Sequence, residues 1–330
     1  MNFKRTYTLK RNRSVLTILT LGLLLLLAAG CGQGASDEDG ETHTPDAGSQ
    51  EETRVVEHAM GETEVPTEPK RVVILTNEGT EALLAMGVTP VGAVRSWTGD
   101  PWYEHIEEQM EGVQDVGLES QVNIEAIAAL QPDLIIGNKM RQENIYSQLS
   151  ELAPTVFSDR LRGDWKINFE LYADALNKVE KGNEVLNEFD QRIETLREQA
   201  ADQLDTEISI VRFMAGQSRI YYNDTFSGII LDQIGFARPE AQDKDEFADE
   251  VTKERIPEME GDVLFYFTYE TGEGEATSTE EEWTSDPLWQ NLEVVQEGNV
   301  HKVSDTIWNT AGGVLAANLL LDDLNAFFLE

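Results

Sequence analysis

The 330-residue chain is long enough for about two domains, and 40% hydrophobic residues can build their cores. Twenty-five basic against 62 acidic side chains leave a formal charge of −37. Such a surface repels phosphate backbones and anionic headgroups, which excludes general nucleic-acid binding and polybasic membrane attachment. A single cysteine excludes a disulfide framework and any Cys-based zinc site.

Residues 1–30 hold five basic side chains (Lys4, Arg5, Lys10, Arg11, Arg13), no acid, and an apolar run from 15 to 29. Fifteen helical residues rise about 22 Å, short of the roughly 30 Å of a bilayer's hydrocarbon core, so a secretory signal is the better reading than a spanning anchor. The run ends in LAAG before Cys31, small residues that resemble the bacterial lipoprotein signal. That resemblance implies lipidation of Cys31 as the mature N-terminus and anchoring by more than one acyl chain. Residues 31–54, rich in Gly, Ser, Thr and acid and without apolar periodicity, read as an acidic flexible tether.

An N-terminal α/β lobe is expected over 55–164. Residues 71–75 (RVVIL) form a β-branched run without polar alternation, the signature of a buried parallel strand. A helix ending at Met86-Gly87 and a strand over 90–94 (PVGAV) follow. Asn123 reads as the N-cap of a helix over 124–130 that Pro132 stops. Residues 133–137 (DLIIG) give a third strand and 155–157 (TVF) a short fourth. This alternation predicts right-handed crossovers and a doubly wound sheet. Residues 165–203 contain no proline, one glycine (Gly182) and apolar residues at helical spacing. They predict an interlobe helix with a break at Gly182, the other reading being a pair of ordinary surface helices. The pattern restarts over 204–330, with strands at 208–213, 219–222, 262–267 and 300–303, a helix over 227–234 closed by Gly235, and a terminal helix over 312–329.

Three stretches carry a family resemblance: KRVVIL at 70–75 with EALLAMGV at 81–88 and PVG at 90–92; NIEAIAAL at 123–130 with PDLII at 132–136; and WQNL at 289–292 with VHKV at 300–303. Together with the cysteine motif, the order and spacing of these segments resemble the iron-siderophore substrate-binding lipoproteins of ABC importers over most of 55–330. Within that family GDW at 163–165, RFMAG at 212–216 and WNTAGG at 308–313 resemble the Bacillus-type receptors for citrate-hydroxamate siderophores such as schizokinen. The resemblance implies an α/β fold of the class III periplasmic-binding-protein type, two Rossmann-like lobes joined by one long interlobe α-helix, with the ligand between them. It implies a non-enzymatic, monomeric receptor that is lipid-anchored on the outer face of the cell membrane. Its partners would be a ferric siderophore and the permease and ATPase subunits of an importer, with no nucleic acid.

A ferric siderophore brings iron already caged by chelator oxygens, so no cofactor and no protein metal ligand is expected; the four histidines show no paired spacing. Arginine forks suit citrate carboxylate and hydroxamate oxygens. Arg95, Arg141 and Arg212 are the first candidates, then Arg160 with Lys139; all but Arg212 follow strands, where α/β sheets open on their crevice, and Arg212 sits within a strand among apolar neighbours, where a guanidinium needs a partner. Removing Arg212 is expected to weaken binding. Trp97, Trp165, Tyr222 and Trp308 are candidate apolar walls, and Asn309 a candidate donor; Trp102 and Phe226 read as core. In this family one surface glutamate per lobe docks onto permease arginines, and Glu81 and Glu240 match by position. A cobalamin or haem receptor of the same fold is the rival reading. A lipid-anchored hydrolase is the more distant one, since no GxSxG, HExxH or Walker motif is present.

Overall fold

The computed structural model describes residues 52–161, 163 and 165–329. The signal segment, Cys31, most of the 31–54 tether, Arg162 and Asp164 lie outside the described residues. The first described element is an unanticipated hairpin of β1 (Thr53–His58) and β2 (Gly61–Pro66), whose first two residues fall inside the segment read as tether. Only Val56 and Val65 of this polar hairpin are fully buried. It rests on the edge of the first sheet, where the Ala59 N–H donates to the Phe157 carbonyl at 3.0 Å.

That sheet belongs to the N-terminal lobe. β3 (Val72–Ile74), a run of three buried β-branched residues, leads into α1 (Asn77–Ala85), whose N-cap Thr76 accepts from the Gly79 N–H at 3.1 Å. β4 (Gly92–Arg95), β5 (Gln114–Leu118), β6 (Gln121–Val122) and α2 (Ile124–Ala129) follow, the last capped by Asn123 as its sequence predicts. β7 (Leu134–Asn138), the short helices α3 (Lys139–Gln142) and α4 (Tyr146–Ser150), and β8 (Thr155–Ser158) complete the lobe. The strand order is β6-β5-β4-β3-β7-β8, parallel except for β6. Successive strands run outward from β3 on one side and then resume on its other side at β7. A crevice therefore opens beyond the carboxyl ends of β3 and β7.

Two helices replace the single interlobe helix expected over 165–203: α5 (Trp165–Ala175) and α6 (Val179–Gln199). The break falls at Asn177, whose φ of 55° is a left-handed conformation that asparagine tolerates, and not at Gly182. Gly182 instead lets α6 cross α5 closely, since a Cβ there would stand 2.6 Å from that of Ala173. α5 packs on α1 and α6 on helices of the second lobe, so the one long connecting helix is α6, about 31 Å at 1.5 Å per residue.

The C-terminal lobe holds β9 (Ile208–Met214), β10 (Gln217–Tyr221), α7 (Phe226–Ile234), β11 (Ala248–Val251) and β12 (Val263–Thr268). After them come α8 (Glu275–Thr284), α9 (Pro287–Gln290), α10 (Glu293–Gln296), β13 (Val300–Lys302) and α11 (Val314–Leu329). Its order is β11-β10-β9-β12-β13. β9, β12 and β13 are parallel, whereas β9 and β10 form a hairpin, so this lobe carries a mixed sheet. A π-helical turn, Thr306–Thr310, precedes α11 and reaches the first lobe: the Tyr103 hydroxyl donates to the Thr310 carbonyl at 3.0 Å, and Thr98 and Thr306 pair their hydroxyls at 3.2 Å. Among the described residues no helix is long and apolar enough to cross a membrane.

Candidate functional site

Each parallel strand of the first sheet delivers a residue to one cavity of about 360 Å³ just beyond its carboxyl end. Asn77 and Glu78 follow β3, Trp97 follows β4, Glu119 follows β5, Arg141 follows β7 and Leu161 follows β8. The second lobe faces them with Arg212 and Met214 of β9, Arg219 of β10, Phe226 at the start of α7, Phe247, Tyr269 after β12, and residues 309–312 of the π-turn. The cavity is thus an interlobe cleft.

Glu119 organises its N-terminal wall. One carboxylate oxygen accepts from the backbone and side-chain amides of Asn77, both at 3.0 Å, and the other from Arg141 Nε at 3.1 Å. Arg141 lies 5.8 Å from the Trp97 ring centroid, with its side chain 40% exposed. Glu78 Oε1 accepts from Asn168 and Tyr172, at 2.7 and 2.9 Å, which fixes that carboxylate at the floor.

The opposite wall is cationic. Arg212 is buried, donates to both oxygens of Asp305 at 2.7 and 3.2 Å and to the Tyr221 hydroxyl at 2.9 Å, and stacks 4.7 Å from the Tyr269 centroid. Burial pushes the Asp305 carboxyl above the usual carboxylate range, while Arg212 pulls it back. A bidentate, fully hydrogen-bonded pair of this kind holds both charges inside the protein. Arg219 stands beside Arg212 in the β9–β10 register, half-buried, with no hydrogen-bond or ion-pair partner among the described residues.

Of the residues singled out in the sequence, Trp97, Arg141, Arg212 and Asn309 line this cleft. Lys139 and Arg160, again with Arg141, line an adjoining hollow. The others lie elsewhere. Arg95 turns outward to an ion pair with Asp115 on the neighbouring strand. Trp165 is buried behind Phe226, edge-on to both Phe189 and Phe226. Tyr222 is core; its hydroxyl donates to Asp249 at 2.9 Å. Trp308 is buried against Phe265 and donates from Nε1 to Asp323 at 2.8 Å.

Glu81 is 0% exposed, paired with His105 at 2.6 Å and accepting from the Ala316 N–H at 2.9 Å. A carboxylate so enclosed bridges α1 to the first turn of α11 and offers nothing to an external arginine, which corrects the expectation of a docking residue. Glu240 is exposed. Arg212, enclosed by Asp305 and Tyr221, is first a structural ion pair, which changes what its removal tests.

Sequence reasoning missed Asn77, Glu78, Glu119, Arg219 and Tyr269, and placed Phe226 only in the core. Position immediately after a strand's carboxyl end is the signal that finds four of them. Arg219 needs the β9–β10 register. Among the described residues no three His, Cys, Asp or Glu side chains form a group that could hold a metal ion.

Two α/β lobes bridged by a long helix, with a cleft at the strand ends, define a substrate-binding protein. Residues 72–305 match the periplasmic binding protein family, and the chain belongs to it, a family of ABC-transporter substrate-binding proteins and not of enzymes. The chain is 50% identical over 331 aligned positions to the probable siderophore-binding lipoprotein YfiY of Bacillus subtilis, covering 98% of this chain and 99% of that one. It is 30% identical to the achromobactin-binding periplasmic protein of Dickeya dadantii, over 78% of this chain and 85% of that one. Among solved structures, Staphylococcus aureus SirA complexed with staphyloferrin B superposes with a TM-score of 0.76 at 34% identity, over 83% of this chain and 98% of that one.

Proposed function

We propose that this protein captures a ferric siderophore of the citrate-hydroxamate class in the interlobe cleft and passes it to an ABC permease and its ATPase for iron uptake. The observation that carries the reading is Arg219, a half-buried guanidinium that meets no carboxylate among the described residues and sits beside an arginine already neutralised by Asp305. Such a group has its electrostatic partner supplied from outside, and a carboxylate or hydroxamate oxygen fits its fork. Trp97, Phe226 and Tyr269 provide apolar faces for the chelator's backbone, and Asn309 a polar contact.

The iron stays within the chelator, so the protein needs neither metal ligands nor a cofactor. The names of the relatives support the cargo class: one is a probable siderophore-binding lipoprotein, another binds achromobactin, and a third structure holds staphyloferrin B. The name lipoprotein in the first of these supports reading residues 1–30 as a signal and Cys31 as the lipidated residue of a receptor at the outer face of the cell membrane, and we propose that the receptor acts as a monomer. Exposed Glu240 remains a candidate permease contact on the second lobe. The π-turn's bonds to Thr98 and Tyr103, together with α6, favour modest closure over a wide hinge swing.

Native mass spectrometry of the protein incubated with ferric schizokinen, iron-free schizokinen, cobalamin and haem tests the assignment. Retention of one ferric chelate per chain is expected. Retention of cobalamin or haem alone would overturn it.

A further inference from the structure

The loop after β4 supplies part of the cleft's N-terminal wall, and it closes on itself. The Ser96 N–H donates to the Pro101 carbonyl at 3.0 Å, and Ser96 Oγ accepts from the Tyr103 N–H at 2.9 Å. Between these anchors lie Thr98 and the cleft-lining Trp97. The closure brings the hydroxyl of buried Tyr103 to the Trp97 N–H, from which it accepts at 3.3 Å. The same oxygen donates to the Thr310 carbonyl at 3.0 Å, in the π-turn of the second lobe. One atom therefore joins the main chain of Trp97 to that of residues 309–312, on the facing wall.

The constraint continues into the cationic wall, since Thr310 Oγ1 donates at 3.4 Å to the carbonyl of Asp305, the residue paired with Arg212. Burial pushes the Tyr103 phenol well above its ordinary pKa, so the hydroxyl keeps its proton and stays a donor at any physiological pH. Neighbouring contacts hold the π-turn on either side. Thr98 and Thr306 pair their hydroxyls before it. After it, Glu81 accepts from the Ala316 N–H and pairs with His105, whose ring stacks on that of Tyr103 with centroids 5.7 Å apart. Gly313 permits this approach, for a Cβ there would stand 2.6 Å from Glu81 Oε2. Of these grips, that of Tyr103 reaches both walls.

We infer that Tyr103 is a positioning residue of the cleft: its hydroxyl sets the distance between the Trp97 wall and the 309–312 wall, and with it the length of chelator arm that fits between them. The inference rests on the reading of the cleft as a ferric-siderophore site and adds what gauges the size of the cargo. Tyr103 acts through the two main chains it joins, and a phenylalanine, which can neither accept from one nor donate to the other, releases both. Rigid walls discriminate between ligands by single methylenes, whereas walls that yield discriminate less.

Tryptophan-fluorescence titration of the full chain tests it with two chelates of equal charge and identical iron-binding groups: ferric schizokinen, which has propane arms, and ferric arthrobactin, which has pentane arms. The proteins compared are the wild type, Tyr103→Phe and Tyr222→Phe, the last removing a core phenol hydroxyl that donates to Asp249 away from the cleft. Tyr103→Phe should weaken ferric schizokinen binding about three- to tenfold, as for one lost hydrogen bond. It should also shift the ratio of the two dissociation constants about threefold or more in favour of ferric arthrobactin. Tyr222→Phe should lower the urea midpoint to a similar extent and leave that ratio at its wild-type value. Thr98→Val, which breaks the hydroxyl pair with Thr306, should shift the ratio in the same direction and stands in if Tyr103→Phe fails to fold.

A wild-type ratio in Tyr103→Phe, or in Thr98→Val where it stands in, would make the contact purely structural and overturn the inference. So would an equal shift in Tyr222→Phe, or a shift in favour of the shorter chelate. If the wild type itself binds neither ferric chelate, the reading of the cleft falls and the positioning role falls with it.

Discussion

Arg212 and Arg219 are direct cross-strand partners in the β9–β10 hairpin, yet they stand in opposite electrostatic situations. Arg212 is closed in by Asp305 and Tyr221, whereas Arg219 is open to the cleft with no carboxylate against it among the described residues. Like charges opposite one another in a sheet destabilise it, and Asp305 offsets that repulsion on one side only. The hairpin therefore presents one secured and one available guanidinium to the space between the lobes.

From this contrast the two substitutions should separate. Arg219→Gln should leave the fold intact and weaken binding of an anionic ferric chelate by about 1.5–3 kcal/mol, the range for a charged hydrogen bond. Arg212→Ala should cost about 3–5 kcal/mol of folding stability, because Asp305 is left buried and unpaired. Arg212→Ala/Asp305→Ala should recover part of that loss. Urea unfolding and ligand titration of the three variants check this, and equal stability losses for Arg212→Ala and Arg219→Gln would refute it.

Glu81 should behave as a structural carboxylate. Glu81→Ala deprives His105 of its partner and leaves the Ala316 N–H at the start of α11 unsatisfied, at a cost of about 1–3 kcal/mol. Thermal unfolding should show the drop directly. An unchanged midpoint combined with lost iron uptake in cells would restore Glu81 as a docking residue.

His58 ties the N-terminal hairpin to the first sheet in its neutral form. Its Nδ1 accepts from the backbone N–H groups of Met60 and Phe157 at 3.3 and 3.2 Å, and its Nε2 lies 2.8 Å from Thr63 Oγ1. Burial lowers its pKa below the ordinary 6.5, and burial lowers that of His301 likewise. The unfolded chain then takes up protons first, so stability should be constant above about pH 7 and fall as the pH drops below 6.5. His58→Gln should flatten part of that slope in thermal melts between pH 7.5 and pH 5. An identical slope would show that the clip does not titrate.

Gly182 offers a test of the interlobe helices. Gly182→Val should clash with Ala173, force α5 and α6 apart and cost about 1–3 kcal/mol by overpacking. If the chain instead broke at Gly182, the substitution would be neutral or stabilising in urea unfolding.

How much of this was readable beforehand follows from what each residue must satisfy locally. The buried strands β3, β7, β9 and β12 announce themselves as apolar runs, and Asn123 as a cap, because those signals lie within a few residues. The β1–β2 hairpin does not, since it buries only Val56 and Val65 fully and otherwise reads as polar linker. Gly182 looked like a helix break because glycine lowers helix propensity, but its small size serves a helix crossing, and Asn177 makes the turn.

In the site, Trp97 and Arg141 follow strands and face the cleft as expected. Trp165, Tyr222 and Trp308 also lie near strand ends yet pack inward, where their polar atoms or ring edges find partners that only the tertiary structure supplies. Glu119 was hidden among 62 acidic residues. Arg219 became visible only once the hairpin register set it beside Arg212.

A crystal structure of the protein grown with ferric schizokinen tests the central claim most directly. The account predicts the caged iron between Trp97 and Tyr269, an oxygen of the chelator within hydrogen-bonding distance of Arg219, and no protein atom coordinated to the metal. A chelate bound outside the interlobe cleft, or an Arg219 side chain turned away from a cleft-bound chelate, would contradict it.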